Sequence, residues 1–136
     1  MNLRAASRTA RRVTLALAFL GGLYLYLRVE LLTLPTSGCS PLFGVDPGAR
    51  LLLDRRPGEV VVGDAVLFRG PSGGLNLARV VEPPGDLSAD FAARLASGSL
   101  WLAVERADCP GLDSTTLGPI GRDAIEAEVV TVIGGF

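Results

Sequence analysis

Cys39 and Cys109 are the only thiols in this 136-residue chain, and with Tyr24, Tyr26 and fourteen Asp and Glu carboxylates they are the side chains left to move protons. All thirteen basic residues are Arg; Lys and His are absent. Arg does not deprotonate in proteins, so the amine and imidazole bases of ordinary nucleophilic catalysis are missing. A thiol keeps some reactivity without them, because a few per cent of it is ionised at neutral pH. Here no His can activate Cys39, however, and no Lys can lower its pKa. Two Cys without His also leave almost no ligand set for zinc or haem, so neither a metal nor a cofactor is expected.

The elements around these residues divide at about residue 35. Arg4, Arg8, Arg11 and Arg12 put four positive charges in the first twelve residues with no acid among them, whereas from Val29 onward eight Arg face fourteen Asp and Glu. The acidic body argues against nucleic-acid binding, which needs a basic surface to neutralise phosphate. Val13 to Leu27 is mostly apolar, and the apolar character resumes at Leu31 to Leu34 before Pro35. Residues 13–34 are therefore predicted to form a transmembrane helix of roughly 33 Å, long enough to cross a bilayer. Arg28 would snorkel to the interface, with Tyr24 and Tyr26 at the boundary. The Arg cluster then places residues 1–12 as a cytoplasmic tail and residues 35–136 outside. Ala18, Gly21 and Gly22 form a flat face, read either as a loosened helix or as a packing surface for a partner helix.

Processing gives competing readings. A cleaved signal peptide wants small residues soon after its apolar run, and Tyr-Leu-Tyr-Leu-Arg supplies none. Thr36-Ser37-Gly38-Cys39 looks like a lipoprotein cleavage box that would make Cys39 a lipidated first residue, although Arg28 and Glu30 interrupt the approach to it.

Beyond Pro35, short apolar runs cut by Gly, Pro and Asp predict a small β domain. Candidate strands are Ala49 to Leu53, Ala65 to Arg69, Leu75 to Val81, Leu100 to Val104 and Ala127 to Ile133. Gly70 to Gly74 reads as a hairpin turn. Ser88 would cap a helix over Ala89 to Leu95, with Phe91 and Leu95 on one face covering a sheet edge. Trp101, alternating with Ala103, reads as a core residue.

Four segments, in order, resemble the type I signal peptidases and their conjugative-transfer relatives. Pro35-Thr36-Ser37-Gly38-Cys39-Ser40-Pro41 is similar to the family's Pro-Ser-Gly-Ser-Met-x-Pro, and Gly63-Asp64-Ala65-Val66-Leu67-Phe68 with Pro71 to its Gly-Asp-Val-Val-Val-Phe-x-x-Pro. Arg79-Val80-Val81-Glu82-Pro83-Pro84-Gly85-Asp86 matches Lys-Arg-Val-x-Gly-x-Pro-Gly-Asp from its Arg onward, and Asp113-Ser114-Thr115-Thr116-Leu117-Gly118-Pro119-Ile120 is similar to Asp-Ser-Arg-x-x-Gly-x-Val. The resemblance spans roughly residues 13 to 133. It implies a mostly β, signal-peptidase-like domain behind one N-terminal transmembrane helix, in the bacterial cytoplasmic membrane with the β domain periplasmic.

In that family a Ser beyond the membrane attacks the peptide carbonyl and a buried Lys takes its proton. Here the Lys position is Ala78, and the nucleophile position falls on Cys39 or, counting back from Pro41, on Gly38, with Ser37 and Ser40 flanking it. Thr115 replaces the family's Arg, and Pro110-Gly111 stand where polar residues would support the Lys. Arg79, Asp64 and Gly85 look like retained scaffold. The resemblance thus implies a degenerate site at Cys39, Ser40, Ala78, Asp113 and Ser114 with no catalytic residues expected. The leading expectation is an accessory or scaffold subunit of a larger membrane complex, whose partners are the bilayer, other membrane subunits and an extended peptide segment. The alternative is an active processing peptidase using Cys39 or Ser40, with Asp108 or Asp113 as base. The resemblance also brings the loops of Cys39 and Cys109 together, implying either a disulfide that would stabilise the fold by roughly 3 to 4 kcal/mol or two free buried thiols.

Overall fold

In a computed structural model, which describes residues 3–134, α1 (Leu3–Arg28) runs directly into β1 (Val29–Thr33) with no linker. Residues Ala6–Arg28 form a 23-residue apolar helix, long enough to cross a membrane and also compatible with a signal sequence. Its apolar side chains are exposed on every face.

The predicted span over 13–34 is corrected at its C-terminal end. Val29–Thr33 leaves the helix and pairs antiparallel with β2 (Arg50–Asp54), from Val29 opposite Asp54 to Thr33 opposite Arg50. Hydrogen bonds at the junction hold the chain there. Arg55 N–H donates to the Arg28 carbonyl at 2.8 Å, Arg28 Nε donates to Asp54 Oδ1 at 3.0 Å, and Arg28 Nη2 donates to Asp54 Oδ2 at 2.8 Å. Sequence hydropathy alone could not separate Leu31 to Leu34 from the helix, because an apolar run fits either element.

The other strands are β3 (Ala65–Arg69), β4 (Leu75–Val80), the two-residue β5 (Leu102–Ala103) and the nine-residue β6 (Ile125–Ile133). They form one antiparallel six-stranded sheet in the order β1-β2-β6-β3-β4-β5. β6 is shared between β2 and β3, and the register shifts once against each, between Leu52 and Leu53 and between Leu67 and Phe68. Such bulges bend a strand and strengthen its twist. The β3–β4 hairpin closes through Gly70 N–H to the Gly74 carbonyl, 2.9 Å. α2 (Ala89–Ala96) begins as expected at Ser88, whose hydroxyl accepts from Phe91 N–H at 3.3 Å, yet no α2 residue is buried. The helix lies on the surface and touches the body through Phe91, whose ring centroid is 6.3 Å from that of Trp101. Trp101 is itself buried. With α1 counted, the chain is a mixture of helix and strand rather than mostly β, because the long apolar helix offsets the sheet.

Strand alternation divides the interior into two clusters. Leu51, Leu53, Leu67, Leu77 and Ala127 pack beneath Leu42, Val45 and Ala49 of the loop between β1 and β2. Val66, Phe68, Ala78, Val80 and Leu102 form the other cluster with Val60, Leu100 and Ile120. Successive strand residues face opposite sides, so Leu77 and Ala78 belong to different clusters.

Candidate functional site

The loop leaving β1 carries the sequence-predicted nucleophile segment, and it is pinned to the segment before α3 (Ser114–Leu117). Cys39 and Cys109 form a disulfide with their Cα atoms 5.6 Å apart. Two residues on, the Pro41 carbonyl accepts from Glu105 N–H at 2.9 Å and Arg106 N–H at 3.1 Å. The Glu105 carboxylate in turn accepts from Phe43 N–H at 2.7 Å and pairs with the Arg79 guanidinium. Arg79 Nη1 also donates to the Gly63 carbonyl at 2.8 Å. Arg79 is therefore a strut joining β4, the turn before β3 and, through Glu105, the Cys39 loop. Asp64 serves the same turn, accepting from Val61 N–H at 2.9 Å.

Each residue of the anticipated site has a structural engagement. Ser40 is 3% exposed, and its hydroxyl meets only the backbone of Leu42, both contacts at 3.4 Å. Ser114 is 1% exposed, and its hydroxyl accepts from Leu102 N–H at 2.8 Å. Asp113 caps α3: Oδ1 accepts from Thr115 N–H at 2.9 Å and from the Thr115 hydroxyl, while Oδ2 accepts from Val104 N–H at 3.2 Å. Thr115 thus completes a local turn. Asp108 faces solvent beside Arg106, 3.4 Å away. Gly111 is where the chain crosses closely, since a Cβ there would lie 3.0 Å from a Val104 methyl.

Ala78 is fully buried and packs with Val66, Phe68, Val80 and Leu102. Leu42, at the end of the Cys39 loop, packs instead with Leu77. The structure therefore brings Cys39 to Cys109 and places Ser40 on the same loop, but it turns Ala78 into the other cluster. Ala18, Gly21 and Gly22 lie on α1, where a Cβ added at either Gly would meet nothing within 4 Å. Among the described residues no group of three or more His, Cys, Asp or Glu could hold a metal.

Two residues absent from the sequence expectations matter here. Glu105 is the hub of the loop clamp, and nothing local marks it, because its partners Phe43 and Arg79 are distant in sequence. Glu128 sits on β6 between Asp54 of β2 and Val66 of β3. Partial burial first, and then the Asp64 and Asp54 carboxylates, push its pKa above the ordinary Glu range. Alternation along Glu126-Ala127-Glu128 puts the two carboxylates on one face of the strand, but the crowding arises only when β2 brings Asp54 alongside.

On the face of the Leu42 cluster, at the sheet end nearest α1, lies a groove of about 440 Å³. Leu32, Leu53, Leu67 and Leu75 line it, and the ion pairs Glu30–Arg55 and Arg69–Glu126, at 2.7 and 2.8 Å, border it.

No protein-family model, curated protein or solved structure matches the chain.

Proposed function

We propose that the chain is a catalytically degenerate relative of the type I signal peptidases, held in the bacterial cytoplasmic membrane by α1 and serving as an accessory or scaffold subunit of a larger membrane assembly. The amino terminus is cytoplasmic and the sheet lies outside. The observation that carries this reading is the Cys39–Cys109 bond, which consumes the thiol at the nucleophile position while Ala78 occupies the position of the base. A thiol in a disulfide has no thiolate to attack with. The neighbouring Ser40 is buried against its own loop backbone, and no Lys or His stands elsewhere in the chain to activate it. What remains is scaffold: the Arg79 strut, the Asp64 turn and a groove across the sheet face with a leucine floor and rims of both charges.

The test has two arms. Purified from native membranes in mild detergent, the protein should migrate with membrane subunits in fixed stoichiometry. Incubated with a model signal-sequence precursor, it should produce no cleavage. Cleavage that is lost in Cys39→Ala or Ser40→Ala protein would establish a peptidase and reject the proposal, and so would a protein that purifies only as a monomer.

A further inference from the structure

Cys39 and Cys109 share a bond but not an environment. Cys39 is exposed, as are Thr36, Ser37 and Gly38 before it, whereas Cys109 is 4% exposed. Thiol–disulfide exchange begins with a thiolate reaching one sulfur, so its rate depends on access and on which sulfur is attacked. Cys39 is by far the more exposed end of the bond.

The loop also keeps its place by other means. Its Pro41 carbonyl accepts two backbone N–H groups, Phe43 N–H is held by Glu105, and Leu42 and Val45 are buried in the core. On the opposite side Cys109 N–H donates to the Arg106 carbonyl at 3.2 Å. Both ends of the bond are thus docked independently of the sulfurs. A disulfide enclosed on both sides is reduced when the chain opens; this one has an exposed residue, Cys39, at one end while folded, and exposure is what separates labile bonds from inert structural ones.

We infer that Cys39–Cys109 is a thiol–disulfide exchange site, attacked at Cys39 Sγ by a dithiol reductant. The first thiolate of the reductant forms a bond to Cys39 Sγ, and the bond from Cys39 to Cys109 breaks. Cys109 leaves as a thiolate and takes a proton from water. The second thiolate of the reductant then attacks its own first sulfur, releasing Cys39, which is protonated in turn. Two electrons pass to the chain, and the reductant departs as a disulfide. In the reduced protein Cys39 is an exposed thiol, while Cys109 lies under the surface, lining a cavity of about 330 Å³ with Arg106, Asp113 and Thr115. The inference needs only the bond and its surroundings and does not rest on the signal-peptidase reading.

Glutathione serves as the probe, because a monothiol has no second thiol of its own to resolve the mixed disulfide, which an acid quench then traps. The oxidised full chain, folded in detergent, is incubated with it, quenched in acid and mapped by mass spectrometry. The expected product carries glutathione on Cys39 with Cys109 free, formed at least about tenfold faster than global opening measured by hydrogen exchange of the β3 amides. An adduct on Cys109, or reduction no faster than opening, would overturn the inference. In a second measurement, Cys109→Ser protein should react with a maleimide while folded, and Cys39→Ser protein only after denaturant is added. Equal labelling of the two would reject the assignment. The glutathione measurement uses the unmodified chain and decides the matter even where a variant does not fold.

Discussion

Arg28, the last residue of α1, and Asp54, the last of β2, are joined by hydrogen bonds of 3.0 Å from Nε and 2.8 Å from Nη2. The guanidinium also donates to the Tyr24 hydroxyl at 2.5 Å. The end of the apolar helix is thereby locked to the second strand, and β1 starts at the next residue. Helix and sheet therefore meet at a joint bridged by this ion pair.

That joint should be sensitive to acid. The Arg28 hydrogen bond holds the Asp54 carboxyl below the ordinary Asp range. A carboxyl with a depressed folded pKa stabilises the fold above its unfolded value, and the contribution disappears as pH falls through the folded one. Asp54→Asn should therefore lower the thermal midpoint at neutral pH and converge with the wild type below the ordinary aspartate range. A constant difference at all pH values would show that the charge is not involved.

Glu128 should behave in the opposite sense. Burial and the Asp64 and Asp54 carboxylates raise its pKa, so ionising it costs stability above the folded value, and the cost vanishes below the unfolded one. Glu128→Gln should stabilise the protein at neutral pH, by up to about 1 kcal/mol, and leave it unchanged in acid. Urea denaturation at two pH values checks both statements.

Glu105→Ala removes the acceptor of Phe43 N–H and the partner of Arg79 together. Arg79 Nε is left partly buried without its partner, whereas the exposed Phe43 N–H can turn to water, so the loss should be about 1 kcal/mol. In a double-mutant cycle with Arg79→Ala the two losses should fall short of adding, because both changes break the same ion pair. Additive losses would mean that the strut has no energetic weight.

Ala78→Lys restores the residue type that the resemblance assigns to the base. Ala78 is fully buried among Val66, Phe68, Val80 and Leu102, so the new side chain must displace packed methyl groups and bury an amine. The expected outcome is a loss of about 3 kcal/mol or more in denaturant titration and no cleavage of a model precursor. A stable variant that cleaves would show that the site can be rebuilt by one residue.

Local pattern made part of this architecture readable. Ala65 to Arg69 is the β3 strand as expected, and Leu75 to Val81 differs from β4 by one residue. Ser88 caps α2, because a hydroxyl before an apolar helical run has few better options. Leu100 to Val104 shrank to two paired residues, since Leu100 bonds instead to Ile120, a partner far along the chain. The site was legible as a set of residue types but not as an arrangement. Cys39 and Cys109 do meet, yet the clamp that makes their loop rigid runs through Glu105, whose role depends on Arg79 and Phe43 arriving beside it.

The amino-acid sequence by itself determined that the chain has an apolar helix, an acidic body and no Lys or His, since these are properties of composition and of neighbours along the backbone. Tertiary structure alone decided that residues 29–33 leave the helix to pair with β2, and that Leu77 and Ala78 pack into separate cores. It also decided that Cys39 stays exposed on a bond whose other end is buried. Each of these depends on which distant strand supplies hydrogen bonds and which face is covered, and long-range pairing carries that information where local periodicity cannot.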